Sequence, residues 1–336
     1  MAESDWISVH VFRHDDLEGL VSEGIAPLMG ELRAENALRD WFFLRYWEGG
    51  PHVRLRVLPE DGRRGAVEEL LRNRLETYLR DNPSRGRMRL DHYLHLAASY
   101  SRRERKSSFA TELRPDNSLV CLPYSREHDR YGRNSAIEAV ERHFTESSEL
   151  ASQLLRPGTT SEQRTTSAYA AILLAWLACE PDLPSLAERI GTASPTVPAS
   201  VDLLGLGGSP RRGGRGATGE ATEIARSLRT LASHVDQVRR SGTFVDWSRS
   251  VTALRDALER CPSEDRPAIE VFQVLDTCAH LFCNRIGVLL NAEDVVRGMA
   301  ADAVRELASE EAPEGNENGE DTGVVAQSAR RVLRQG

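Results

Sequence analysis

The chain is 336 residues long, 40% hydrophobic and 28% charged, with a formal net charge of −8. That length suffices for one large domain or two medium ones, and the acidic balance argues against general nucleic-acid binding. Five scattered cysteines are too few for a disulfide framework and fit a reducing cytosol. No signal peptide is visible at Met1–Trp6, and no run approaches the ~18 apolar residues of a membrane span, so a cytoplasmic protein is expected.

Trp6–Phe12 alternates and predicts a first strand. Asp15 or Asp16 then caps a helix through Leu17, Leu20, Val21 and Ile25, with Pro27 expected to kink or divide it. Trp41–Val57 reads as a hairpin turning at Glu48–Pro51. Residues 62–80 form an amphipathic helix, and residues 89–97 and 119–124 read as strands. From Asn134 or Ser135 a helix runs toward Pro157, followed by helices at about 161–179, 220–240, 244–260, 266–289 and 292–308. Strands early and helices late predict an α+β fold. The expected organisation is a single domain over 1–308, its N-terminal sheet packed against C-terminal helices. Residues 205–219 read as a flexible Gly/Arg loop, and 309–336 as a disordered acidic tail with a short helix near 324–333.

In β-register, Val53, Leu55 and Val57 form one face and His52, Arg54 and Arg56 the other. Same-face neighbours lie roughly 7 Å apart. Two fixed guanidiniums at that spacing suit a ligand with two carboxylates, or a carboxylate and an oxyanion. The pattern also fits a solvated or ion-paired strand face.

A second element is the apolar helix 269–287, where Asp276, His280 and Asn284 recur every four residues. Asp276 is placed to hold one imidazole nitrogen and leave the other for proton transfer, with Asn284 and Arg285 one turn on. A core histidine tying helices together gives the same pattern. A third element is Tyr124–Gly132, where Arg130 and Tyr131 precede a glycine at a strand–helix junction; an ordinary Asp/Arg turn reads the same way. The other histidines lack metal-ligand spacing, and no phosphate loop, nucleophile elbow or dinucleotide fingerprint occurs. No cofactor and no metal are expected.

Gly-Gly-Pro-His-Val-Arg-Leu-Arg ending at Arg56, Tyr-Ser-Arg-Glu-His-Asp-Arg-Tyr-Gly ending at Gly132, and His-Leu-Phe-Cys-Asn-Arg ending at Arg285 occur in this order. Together they resemble the thiopeptide-type bacteriocin biosynthesis family, which includes the C-terminal elimination domain of class I lantibiotic dehydratases. The resemblance spans about residues 6–308. It implies removal of glutamate from glutamylated Ser or Thr of a precursor peptide, leaving dehydroalanine or dehydrobutyrine. Arg54, Arg56 and His280 match its catalytic residues. His52, Arg130, Tyr131, Asn284 and Arg285 are expected substrate contacts, and His280 is expected across a cleft from the arginines. Implied partners are a leader-bearing precursor and a separate glutamyl-tRNA-dependent glutamylating protein, with no direct nucleic-acid or membrane contact. The same fold hosts thiopeptide pyridine synthases, which join two dehydroalanines in a formal aza-[4+2] cycloaddition with macrocycle closure and leader release. Retention of the three matched residues favours elimination. A non-catalytic leader- or partner-binding subunit is a third reading. Arg133 stands where the resemblance leads one to expect a second glycine, which puts the backbone of that turn in question.

Overall fold

The computed structural model describes residues 5–104, 106–193 and 215–311. The acidic tail beyond 311 and most of the Gly/Arg loop lie outside the described residues, but residues 215–219 of that loop open a helix instead. The elements in chain order are β1 (Ile7–Phe12), α1 (Leu17–Gly19), a π-helical turn (Leu20–Ile25), α2 (Ala26–Ala34), β2 (Leu38–Tyr46), β3 (His52–Pro59), α3 (Arg64–Asp81), α4 (Leu90–Arg103) and β4 (Ser118–Cys121). Then come α5 (His128–Tyr131), α6 (Ser135–Leu154), α7 (Ser161–Cys179), α8 (Leu183–Ala193), α9 (Arg215–His234), α10 (Thr243–Arg260), α11 (Val271–Arg285) and α12 (Leu290–Glu311). The class is α+β, a small sheet from the N-terminal region packed against helices. No single helix among the described residues is long and apolar enough to cross a membrane.

The chain divides into two compact units, the first comprising residues 1–128, 140–159 and 284–287 and the second the remainder. The first unit holds a four-stranded antiparallel sheet in the order β2-β3-β1-β4. Gly49 and Gly50 make the β2–β3 turn at φ of 83° and 112°, and a Cβ on Gly50 would lie 2.7 Å from Leu113 Cδ1. Alternation sorts Val9, Val11, Val53, Leu55 and Val57 onto one buried face. Helix α3 packs against β1 and β4, and α2 against β2; Val67, Leu71, Leu75 and Leu79 recur at helical spacing and are buried.

The outer edge of β2 is covered by side chains. Phe43 N–H donates to Ser148 Oγ at 3.2 Å, and Phe43 O accepts from Arg285 Nε at 2.9 Å. Arg45 N–H donates to Asn284 Oδ1 at 2.9 Å, and Arg45 O accepts from Asn284 Nδ2 at 3.0 Å. Asn284 thus pairs with the edge as a further strand would, so these groups present no template for aggregation.

The second unit is helical. Thr160 and Gln163 form a reciprocal capping box that starts α7. Residues 167–178 of α7 are all buried, as expected of a helix apolar all round, and α9, α10 and α12 pack against it. Trp247 Nε1 donates to Ala171 O at 3.0 Å, and Tyr169 OH to Ala221 O at 2.8 Å.

One local expectation is corrected. Residues 90–97 are helical, forming most of α4, with Tyr93, Leu96 and Ala97 buried at helical spacing. The Leu/His alternation there mimics a strand, but the segment contains no β-branched residue and carries three leucines. Pro27 stands where the expected division falls: the π-helical turn ends at Ile25, Ala26 N–H reaches back to Val21 O, and α2 begins with the proline in its first turn. Helices α5 and α8 are additional to the elements expected from the sequence.

Candidate active site

Strand β3 carries His52, Arg54 and Arg56 on the face opposite its valines. In register, Arg56 lies between Ser8 and Phe42, Arg54 between His10 and Leu44, and His52 between Phe12 and Tyr46. Arg56 is 8% exposed; it donates to Leu55 O at 3.1 Å and lies 3.2 Å from His10 Nε2. The Arg54 guanidinium carbon sits 3.3 Å from the Tyr46 ring centroid, and its Nε is buried without a hydrogen-bond partner. Neither arginine makes an ion pair among the described residues.

Burial, followed by the charge of Arg54, lowers the Arg56 pKa to about 10, which leaves it a cation near neutral pH. Burial also lowers Arg54. The adjacent imidazoles respond oppositely in charge state. Burial, then Arg56, His52 and Arg54, lower His10 to about 2, while burial and the arginines lower His52 to about 4 against a raising hydrogen bond to Gly50. Both histidines are therefore neutral at neutral pH, stacked with ring centroids 4.9 Å apart. Positive charge on this face is concentrated in the two guanidiniums.

Aromatic rings flank them. Tyr124 lies 5.3 Å from the Arg56 guanidinium carbon, and burial, then Glu141, raise its pKa. Glu141 accepts from Arg126 Nε at 2.8 Å and Nη2 at 2.7 Å, and from Trp6 Nε1 at 3.2 Å. Tyr46 accepts from Lys106, which also donates to Glu48 at 2.9 Å. His10 and Tyr46 are not among the residues expected at the site, and Tyr124 is singled out by the sequence only as the first residue of the third motif. The legible signal was β1 itself, whose alternation places His10 on one face with Ser8 and Phe12.

His280 belongs to the second unit. Its Nδ1 lies 2.7 Å from Glu293 Oε2 on α12. Asp276, expected to hold this ring, instead accepts from Trp176 Nε1 at 2.7 Å and from Arg297 Nη1 at 2.5 Å. The i, i+4 spacing brings Asp276 and His280 to one face, but the tertiary neighbours capture the carboxylate. Arg297 Nε also donates to Glu293 Oε1 at 2.8 Å. Burial pushes the Glu293 carboxyl up, but His280 and Arg297 outweigh it and hold its pKa below the ordinary value.

The remaining expected contacts differ in setting. Asn284 and Arg285, in the first unit, bond the β2 edge, and Arg285 is fully buried and also donates to Ser147 Oγ at 3.1 Å. In the second unit Arg130 is exposed and Tyr131 is 5% exposed. Gly132 takes a φ of 83°, and a Cβ there would lie 2.2 Å from Asp265 O. Arg133 donates its N–H to that carbonyl at 2.8 Å, and the next left-handed residue is Asn134 at φ 43°. The turn needs Gly132 but no glycine at Arg133. Among the described residues no group of His, Cys, Asp and Glu has metal-binding geometry.

A family model for the lantibiotic biosynthesis dehydratase C-terminal region matches residues 6–304. Among solved structures, the pyridine synthase TbtD from thiomuracin biosynthesis has a TM-score of 0.71 at 18% identity, covering 91% of this chain and 99% of its own. The tRNA-dependent lantibiotic dehydratase MibB from Microbispora sp. 107891 has a TM-score of 0.57 at 18% identity, covering 92% of this chain but 29% of its own. TsrL has a TM-score of 0.52 at 16% identity, over 91% of this chain and 95% of its own. At these identities the likeness establishes the fold. No curated protein sequence matches.

Proposed function

Given that the chain belongs to the lantibiotic biosynthesis dehydratase C-terminal family, we propose that it eliminates glutamate from glutamylated Ser or Thr of a precursor peptide. One observation carries this reading: the guanidiniums of half-buried Arg54 and buried Arg56 share a strand face, and neither makes an ion pair among the described residues. Charged groups so placed are costly unless a ligand supplies the counter-charge. A glutamyl ester supplies it with its free carboxylate and with the carboxylate released at the ester.

In the proposed step a base removes the Cα proton, the electron pair forms the Cα–Cβ double bond, and the Cβ–O bond breaks. Glutamate leaves with both electrons of that bond as a carboxylate. Arg54 and Arg56 stay protonated and stabilise the anion. His280 is assigned the proton transfer, since imidazole exchanges a proton near neutral pH. His52, Arg130 and Tyr131 are secondary candidates for substrate contact, and Asn284 and Arg285 contribute by holding the β2 edge. The precursor arrives with its leader in the cytoplasm, after a separate glutamylating protein has acted.

A second reading is pyridine synthesis by formal cycloaddition, supported by the fit over 99% of TbtD. Mass spectrometry separates the two. Incubation with a glutamylated precursor is expected to yield dehydro residues and free glutamate. Leader release and macrocyclisation from an already dehydrated peptide, with the glutamyl ester untouched, would replace elimination by cycloaddition. Turnover of neither substrate would leave a binding subunit.

A further inference from the structure

We propose that Glu293 is a positioning residue for His280, fixing the proton on Nδ1 so that Nε2 is the proton-accepting nitrogen. The assignment of His280 to proton transfer rests on the elimination reading; the tautomer does not. The Glu293 side chain is 4% exposed and that of His280 38%. A carboxylate held ionised accepts hydrogen bonds but cannot donate one. At 2.7 Å from Glu293 Oε2, Nδ1 must therefore carry the proton. The ring's only hydrogen bond among the described residues is through Nδ1, so Nε2 keeps its lone pair for chemistry.

The orientation is fixed further out. Arg297 Nε holds the other Glu293 oxygen at 2.8 Å, while Arg297 Nη2 donates to Asp276 O at 3.2 Å. Asp276 Oδ1 is shared by Arg297 and by Trp176 Nε1 of α7. The chain Trp176–Asp276–Arg297–Glu293–His280 thus ties three helices to one imidazole. Asp276, the residue that sequence spacing assigns to the ring, acts two links away by anchoring the arginine that anchors the glutamate.

The test uses the full chain labelled with 15N at histidine. Two-bond 1H–15N spectra of the neutral imidazole in the wild type should show the Nδ1–H tautomer. In Glu293→Gln the neutral amide can donate to Nδ1, so the Nε2–H tautomer should gain population. Elimination kcat should fall about 10- to 100-fold, by analogy with metal-ligating histidines that lose their outer carboxylate, with KM little changed. Glu293→Asp, which keeps an ionised acceptor, should retain the Nδ1–H tautomer and recover part of kcat. An unchanged tautomer in Glu293→Gln overturns the proposal even if the wild type eliminates normally. A changed tautomer with unchanged kcat overturns the positioning role. If the wild type shows no elimination, the reaction assignment fails, while the tautomer spectra still decide what Glu293 does.

Discussion

Arg56 is held where an unliganded protein gains least from it. Its neighbours are a carbonyl, a neutral imidazole, a tyrosine ring and a second cation. A buried charge without a counter-charge costs stability, so Arg56→Leu should raise stability against urea by about 1–2 kcal/mol while abolishing elimination. A loss of stability in that variant would show that Arg56 is structural. Arg56→Lys should not rescue turnover, because an ammonium lacks the planar fork that reaches Leu55 O and His10 together. A rate loss on the order of 10²-fold or more is expected for either variant, read as accumulated glutamyl ester. At Gly132, Ala should destabilise by more than ~2 kcal/mol, since the added carbon meets a backbone oxygen and φ is positive. Arg133→Gly should change stability by less than ~1 kcal/mol. Equal losses in thermal or chemical denaturation would contradict this account of the turn.

At the scale of elements, the sheet depends on what covers β2. Asn284 supplies both an acceptor and a donor to Arg45. Asn284→Ala should cost about 1–3 kcal/mol, the usual penalty for stranding such groups. Asn284→Asp should cost a similar amount, because a carboxylate cannot donate to Arg45 O. Protection of the Arg45 amide from hydrogen exchange should fall in the alanine variant and survive in the aspartate one. The α4 helix shows how periodicity misleads over a short span. Within 89–97 apolar residues satisfy both a two-residue and a helical spacing, and residue type, not spacing, separates them. The hairpin was unambiguous because a Gly-Gly-Pro turn and β-branched residues agree with its alternation.

For the whole molecule, acid should unfold the protein through histidines buried in neutral form. Burial depresses His10 to about 2, His52 to about 4 and His143 to about 3. Unfolded, each takes up a proton near pH ~6.5. Below that pH the unfolded chain binds more protons, so stability is full above it and falls as pH drops toward the folded pKa values. From pH ~7 to pH ~5 the loss should be about 2 kcal/mol for each such histidine. His52→Gln should flatten the profile of Tm against pH over that window; an unchanged slope would show that His52 is protonated in the folded state.

The sequence by itself determined the α+β class, the hairpin, and the common face of His52, Arg54 and Arg56. These follow from local periodicity, turn chemistry and short motifs, which chain geometry translates directly into structure. Tertiary structure alone decided which groups those residues meet. Asp276 was one helical turn from His280, yet Trp176 and Arg297 took it, and Glu293 from the next helix took the imidazole. His10 lay 44 residues from Arg54, and only antiparallel pairing of β1 with β3 set them side by side. Asn284 and Arg285 were polar residues beside a histidine in the sequence, and the open edge of β2 made them part of the sheet. Hydrogen-bond partners are chosen by distance in space and by the cost of leaving buried polar groups unmet. Neither quantity is carried by spacing along one chain segment.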